Sequence, residues 1–198
     1  DSIAYHMNKF AASDILKRLD VKKQNYALTT VHRPVNVDKK ENLAKIISIF
    51  NRDSKTAAKY SGDFKIVFPV HPRTLKMISN SGLNDMFGEI KNLVITEPEG
   101  YTDFIRLLMD SKFVLTDSGG IQEEATFLKV PCLTLRDSFE RPETLSIGSN
   151  TLCGLNENLI ARKVGEVFSG AYKKGKIPKL MDGKASKRIV KILMKSFF

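Results

Sequence analysis

The chain has 198 residues, of which 42% are hydrophobic, and it carries a net charge of +10. This content suffices for one well-packed domain, and the sequence contains no signal peptide and no apolar run long enough to span a bilayer. Nine basic residues and one acidic residue after position 170 supply +8 of the charge, so we predict a solvated basic helix rather than a nucleic-acid interface.

Cys132 and Cys153 both lie in apolar stretches, which predicts two reduced core thiols and a cytoplasmic protein. The chain begins at Asp1 rather than at a methionine, and we therefore expect a fragment or a processed product.

Apolar segments typical of strands alternate with segments of helical periodicity along the chain. Residues 1–8 are predicted to be an irregular linker, and an amphipathic helix with Phe10, Ile15 and Leu19 on one face follows it. The predicted strands are 25–31, 64–70, 92–96, 113–116, 130–135 and 150–153. The predicted helices are 42–60, 74–80, 104–109, 159–172 and 185–197, with a helical turn at 143–147. A further helix is predicted to open after Gly120, with Glu123 and Glu124 in its first turn. This alternation predicts one α/β domain, a doubly wound parallel sheet covered by helices on both faces.

Polar residues directly follow several predicted strands. They are His32, His71, Glu99, Ser118 and Arg136. In a doubly wound sheet the carboxyl ends of the strands share one edge, and ligands bind beyond that edge. We therefore expect these residues to gather at one site.

The segment Asp117-Ser118-Gly119-Gly120 connects a buried strand to a helix. Backbone N–H groups and the positive helix end suit a phosphate there, although the segment is neither a dinucleotide fingerprint nor a Walker loop. A sharp structural turn is an equally good interpretation. Glu123 and Glu124 either complement the helix dipole, or one of them accepts hydrogen bonds from a ribose diol.

The other candidates also have two interpretations. His32 with Arg33 binds an anion or transfers a proton, or is structural; His71 is a weaker case of the same kind. The segment 136–143 holds two arginines and three carboxylates, which form a salt-bridged loop or bind a phosphate or an acetamido group. Phe104 is a core residue or a wall for a flat base.

Four segments together resemble the non-hydrolysing UDP-N-acetylglucosamine 2-epimerases. They are Thr-Val-His32-Arg33, Leu-Thr-Asp-Ser118-Gly-Gly-Ile-Gln-Glu-Glu124-Ala, Arg136-Asp-Ser-Phe-Glu-Arg141-Pro-Glu and Asp182-Gly-Lys-Ala-Ser186-Lys-Arg188-Ile. The resemblance covers the chain from about residue 25 and matches only the family's C-terminal lobe. It implies one Rossmann-like lobe of a two-lobed GT-B-type fold, with residues 1–8 as a remnant of the interlobe linker and 9–198 as the nucleotide-binding domain.

The resemblance also implies a role for each site residue. Ser118, Gly119 and Gly120 would bind the diphosphate, Glu124 the ribose, Phe104 would lie beside the uracil, and Arg141 would contact the substrate near the sugar and phosphate. His32 would touch the diphosphate and assist departure of UDP as the catalytic residue of this lobe. Arg33 and His71 match positions where related enzymes bind a second, activating UDP-sugar.

The implied reaction converts UDP-GlcNAc to UDP-ManNAc by elimination and re-addition of UDP, without a cofactor or a metal. The implied partners are the UDP-sugar, an N-terminal lobe that carries the acid and base carboxylates, and a second copy in a homodimer. The alternatives are a GT-B glycosyltransferase that uses a UDP-sugar and a nucleotide-sugar-binding module without catalysis. Val35 and Glu99 depart from the family pattern, which often has a carboxylate and a neutral side chain at these positions.

Overall fold

The computed structural model describes residues 2–197, which form a six-stranded parallel sheet with the strand order β3-β2-β1-β4-β5-β6. The strands are β1 Tyr26–Thr30, β2 Lys65–Pro69, β3 Leu93–Thr96, β4 Phe113–Thr116, β5 Cys132–Thr134 and β6 Asn150–Leu152. The helices are α1 Ser2–Ala11, α2 Ile15–Arg18, α3 Pro34–Val37, α4 Lys40–Ala58, α5 Pro72–Asn80, α6 Asn84–Gly88, α7 Tyr101–Asp110, α8 Gly119–Leu128, α9 Pro142–Ser146, α10 Glu157–Ser169 and α11 Ala185–Phe197. This is the doubly wound order of a Rossmann fold, and the predicted α/β class and all six predicted strands are confirmed.

Both faces of the sheet are covered, and successive strand residues serve opposite faces. In β4, Phe113 and Leu115 belong to one apolar core, while Val114 belongs to the other. The first core includes residues of α4, α5 and α10, and the second includes residues of α1, α7 and α8. Burial on both sides explains why the central strands are continuous apolar runs in the sequence.

The start of the chain differs from the prediction of an irregular segment followed by one helix. Ser2–Ala11 is a helix that buries Ile3 and Phe10 and packs on α7, and a turn separates it from α2. The spacing of Ile3, Met7 and Phe10 is the helical signal for α1. The assignment of residues 1–8 as an interlobe linker stays a prediction. Asp1, the first residue of that linker, and Phe198, the last residue of the predicted domain 9–198, lie outside the described residues.

Three further details were not predicted correctly. The short helices α3 and α6 have too few residues to show a helical period, and they were missed. Helix α8 begins at Gly119, so that its first turn contains no acidic residue. Glu123 and Glu124 therefore lie one turn further in, where they complement the helix dipole weakly.

Helix α11 has no buried residue within the described part of the chain, although it is amphipathic. Its exposed apolar side chains are Ile189, Val190, Ile192, Leu193, Met194 and Phe197. Lys187, Lys191 and Lys195 of the same helix are also exposed, as predicted, whereas Arg188 is half-buried and pairs with Asp182. No helix in residues 2–197 is long and apolar enough to cross a membrane.

Cys132 and Cys153 are both buried and free of a disulfide. Burial raises the pKa of each thiol to about 12, so both thiols are protonated at neutral pH. This agrees with the prediction of core thiols.

Asp53 of α4 is a buried carboxyl in the first apolar core, and its side chain is only 1% exposed. Among residues 2–197, neither of its side-chain oxygens has a hydrogen-bond partner. Burial raises the pKa of Asp53 to about 8, because the charged form has lost its water without gaining a donor.

We expect the stability of the chain to fall as the pH rises from about 4, the ordinary aspartate pKa, to about 8, because the folded state holds a proton that the unfolded state has released. Asp53→Asn removes this dependence, so that its stability matches the wild type near pH 3.5, where Asp53 is protonated in both states, and exceeds it at pH 8.5 by roughly 1–3 kcal/mol. Urea unfolding at the two pH values measures both effects.

Asp110→Asn provides the matched control. Asp110 is equally buried but forms ion pairs with Arg106 and Lys23, at 2.6 and 3.2 Å. This variant should be less stable than the wild type, because it leaves two cations without their charged partner. Equal effects of the two substitutions would contradict our interpretation of Asp53.

Candidate functional site

The site lies where the strand order reverses, between β1 and β4. The chain leaves β1 toward α3 and α4 on one face of the sheet, and it leaves β4 toward α8 on the other face. The two connections therefore diverge and leave a crevice beyond the carboxyl ends of the strands, which is where ligands bind in sheets of this kind.

The turn after β4 ends in the N-terminus of α8. Ser118 is the N-cap residue, with φ −85° and ψ 129°, and Gly119 and Gly120 form the start of the helix. The Ser118 N–H donates to Thr116 Oγ1 at 3.0 Å, while the Ser118 side chain makes no capping hydrogen bond. The first N–H groups of a helix have no carbonyl partner within it, so this turn presents donors to the crevice.

A carboxylate already lies against this turn. Oε2 of Glu140 is 2.7 Å from the position that a Cβ atom on Gly119 would occupy, so that a larger residue at Gly119 would require the Glu140 side chain to move. Oε1 of Glu140 accepts hydrogen bonds from Arg136 at 2.7 Å and Arg33 at 3.3 Å. The hydrogen bond from Arg136 lowers the pKa of Glu140. The start of α8 and two arginines thus surround one anionic group.

Asp117 joins the two connections at the base of the crevice. Its side chain is fully buried, and its carboxylate accepts hydrogen bonds from the backbone N–H groups of His32 and Arg33 and from Asn36 Nδ2, at 2.9–3.2 Å. Asn36 also donates to the Leu135 carbonyl at 3.1 Å. His32 Nδ1 lies 3.4 Å from Asp117 Oδ1, and 46% of the His32 side chain is exposed.

Beside this network lies a cavity of about 290 Å³ that collects four of the polar and aromatic candidates. His32, His71, Glu99 and Phe104 line it, together with apolar neighbours. His71 also caps α5, because its Nδ1 accepts the Arg73 N–H at 3.2 Å. The expectation that residues after different strands gather at one edge holds for these side chains. Glu99, which departs from the family pattern, faces the same cavity as Phe104.

Glu124 and Arg141 lie apart from this cavity. Glu124 accepts a hydrogen bond from Tyr101 Oη at 3.1 Å, and both residues line a second cavity of about 340 Å³ beside α1 and the segment before α11. Burial raises the pKa of Glu124, and the nearby charge of Glu123 raises it further. Arg141 Nε forms an ion pair with Glu123 at 2.8 Å.

Sequence reasoning missed three residues of the site. Asp117 was part of the recognised motif, but no role followed from its position, and neither Asn36 nor Tyr101 was singled out. Their signal is tertiary, because Asn36 and Asp117 are 81 residues apart. Val35, where the family often has a carboxylate, is 58% exposed, so that its side chain takes no part in this buried network.

The strand order and the crevice at its reversal define an α/β domain of the class that binds nucleotides at the carboxyl edge of its sheet. The family model of UDP-N-acetylglucosamine 2-epimerase matches residues 1–194, and the chain belongs to this family. The resemblance inferred from the sequence motifs is therefore confirmed.

Three relatives illustrate the match. The UDP-N-acetylglucosamine 2-epimerase of Methanocaldococcus jannaschii is 43% identical over 170 residues, which are 85% of this chain and 44% of that protein. The UDP-2,3-diacetamido-2,3-dideoxy-D-glucuronate 2-epimerase of Pseudomonas aeruginosa is 32% identical over 86% of this chain and 44% of that protein. A crystal structure of the Methanocaldococcus jannaschii enzyme in complex with UDP-GlcNAc and UDP superposes with a TM-score of 0.80 and 36% identity, covering 97% of this chain and 51% of that one.

The chain spans about half the length of the relatives that it matches. Its architecture is accordingly that of one lobe of the two-lobed GT-B-type fold, as predicted.

Asn36→Ala tests the network around Asp117. The substitution removes one donor from a buried carboxylate and one from a buried carbonyl, and we expect it to lower the free energy of unfolding by roughly 1–3 kcal/mol. Val35→Ala, at the exposed neighbouring position of the same helix, should change it by less than about 0.5 kcal/mol. Urea unfolding of both variants provides the comparison, and equal effects would show that the network contributes little.

Proposed function

We propose that this chain is the nucleotide-binding lobe of a UDP-N-acetylglucosamine 2-epimerase, which interconverts UDP-GlcNAc and UDP-ManNAc. The observation that supports this most directly is the carboxylate of Glu140, which lies against the start of α8 and pairs with Arg33 and Arg136, because a phosphate has the same charge and similar acceptor oxygens. In the proposed complex the diphosphate of UDP takes this place and contacts Ser118, Gly119 and Gly120.

The other contacts of the nucleotide follow from the same assignment. Phe104 lies beside the uracil, in the cavity that it shares with His32. Glu124 accepts hydrogen bonds from the ribose hydroxyls, as its partly buried carboxylate already does from Tyr101. Arg141 contacts the substrate near the sugar and phosphate. To do so it releases Glu123, and the ion pair between these two residues is weak because both side chains are about half exposed.

In the proposed reaction the proton at C2 is removed and the C1–O bond breaks, so that the electron pair of that bond leaves with UDP. UDP then adds back to the 2-acetamidoglucal as a proton returns to the other face of C2. This lobe holds the leaving group: the N–H groups at the start of α8 stabilise the charge that grows on the diphosphate, and His32 assists its departure. Besides its contact with the diphosphate, Arg33 contributes together with His71 to binding of a second, activating UDP-sugar.

A second lobe supplies the acid and the base in this proposal. Two observations support it: the relatives are about twice as long as this chain, and α11 exposes an apolar face that such a lobe would cover. The homodimer, the cytoplasmic location and the linker at residues 1–8 stay predictions.

The alternatives differ in how they fit these findings. The family match favours an epimerase over a glycosyltransferase. The third alternative, a module that binds a nucleotide sugar without catalysis, corresponds to the behaviour that we expect of this chain on its own. The Pseudomonas aeruginosa relative is named for another sugar, so the sugar assignment depends on contacts outside the nucleotide-binding turn.

We expect this chain alone to bind UDP and not to convert UDP-GlcNAc to UDP-ManNAc, because it contains the nucleotide contacts but not the acid and the base. Calorimetry with UDP and a chromatographic assay of the two sugar nucleotides measure these properties. A folded chain that does not bind UDP would falsify the proposed function, and turnover would place the acid and the base in this lobe.

Ser118→Ala and Glu124→Ala should each weaken UDP binding roughly tenfold, as expected for the loss of a hydrogen bond that involves a charged group. Ser169→Ala, at the exposed end of α10, is the control and should leave affinity unchanged. If all three variants bind UDP equally, the turn after β4 has only a structural role.

Glu140→Gln should have the opposite effect and tighten UDP binding about two- to fivefold. The carboxylate occupies the place assigned to a phosphate, and its pairs with Arg33 and Arg136 are exchanged for phosphate pairs when UDP binds. Glu143→Gln removes an equal charge from an exposed site three residues away and should change affinity less. Weaker binding by Glu140→Gln would instead make Glu140 a ligand contact.

A further inference from the structure

Asp117 has two carboxylate oxygens in different surroundings. Oδ2 accepts hydrogen bonds from the Arg33 N–H at 2.9 Å and from Asn36 Nδ2 at 3.0 Å, and it shares the His32 N–H with Oδ1 at 3.2 Å. Within residues 2–197, Oδ1 has only that shared N–H and the His32 ring, whose Nδ1 is 3.4 Å away. A fully buried carboxylate oxygen needs donors, so the His32 ring is the donor available to Oδ1.

This contact selects one form of the histidine ring. If Nδ1 carried a lone pair, that lone pair would face the lone pairs of a buried carboxylate. With the proton on Nδ1, the contact is attractive, and Nε2 on the far side of the half-exposed ring is left for the cavity. The contact of Nδ1 with Asp117 thus determines whether Nε2 of the neutral ring carries a proton or a lone pair.

We propose that Asp117 is a positioning residue for His32: it fixes the ring with the proton on Nδ1 and presents Nε2 to the diphosphate. This inference rests on the proposed function, in which His32 assists departure of UDP. When both ring nitrogens are protonated, Nε2–H donates a hydrogen bond to the leaving phosphate oxygen. If the Nε2 proton is transferred to that oxygen, the remaining proton stays on Nδ1, facing Asp117. Asp117 itself touches no reacting atom.

His71 provides an internal contrast in the same chain. Its Nδ1 accepts the Arg73 N–H at 3.2 Å, so a neutral His71 carries its proton on Nε2. The two histidines that line one cavity should therefore have opposite tautomers.

Long-range proton–nitrogen NMR of the chain labelled with ¹⁵N-histidine tests this at about pH 8.5, where an ordinary histidine is neutral. His6→Gln and His71→Gln variants assign the three ring spectra. The expected result is the Nδ1–H tautomer for His32 and the Nε2–H tautomer for His71. An Nε2–H tautomer of His32 in the wild-type chain would overturn the inference without any further variant.

Asp117→Asn keeps the shape and exchanges the group that faces the ring. Its amide oxygen can replace Oδ2, which places its NH₂ group opposite His32 Nδ1. We expect the His32 spectrum to change to the Nε2–H pattern while the His71 spectrum stays the same. An unchanged His32 spectrum in a folded variant would refute the positioning role.

UDP affinity separates this role from general support of the fold. Asp117→Asn and His32→Gln should each weaken binding, by about three- to tenfold, and Asp117→Asn should add no further loss in the His32→Gln background. Equal losses in both backgrounds would mean that Asp117 acts on the backbone alone. If the wild-type chain binds UDP but His32 has the other tautomer, the inference fails and the proposed function stands; if the chain does not bind UDP, the proposed function fails.

Discussion

A buried negative charge determines how the two central connections of this domain fit together. Asp117 lies at the end of β4, inside the protein, and a carboxylate without donors at such a place is costly. Its donors come from the other connection, because the chain leaving β1 turns the N–H groups of His32 and Arg33 toward it. The two turns can therefore adopt their observed geometry only together, and this coupling brings His32 and Arg33 beside the start of α8.

The same coupling explains why an anion suits the crevice. The positive end of α8 and the guanidinium groups of Arg33 and Arg136 converge on one point, and Glu140 balances their charge. These contacts are partly exposed, so each contributes little to stability and can be exchanged for a ligand's charge at small cost. The hydrogen bonds of Asp117 are buried instead, and they hold the backbone rigid beneath the ion pairs that a ligand can replace.

The strands could be predicted because a parallel sheet covered on both faces needs continuous apolar segments, which local sequence shows directly. The turn after β4 was recognised for a similar reason, since two adjacent glycines between a strand and a helix have few uses. The errors have local causes as well. Helix α1 has only Ile3 and Phe10 buried and depends on contact with α7, while α3 and α6 are shorter than two helical turns.

Local residue patterns were therefore enough to predict the alternation of strands and helices, the parallel sheet, and the family to which the motifs point, because each depends on residue types within one short segment. Which groups meet in the site follows from the folded arrangement instead. The partners of Asp117 lie 81 to 85 residues before it, Glu140 reaches Arg33 across 107 residues, and Tyr101 reaches Glu124 from another helix. Hydrogen bonds and ion pairs of this kind form only when distant segments place their atoms to within about a few tenths of an ångström of the favourable separation, and no local pattern encodes that placement.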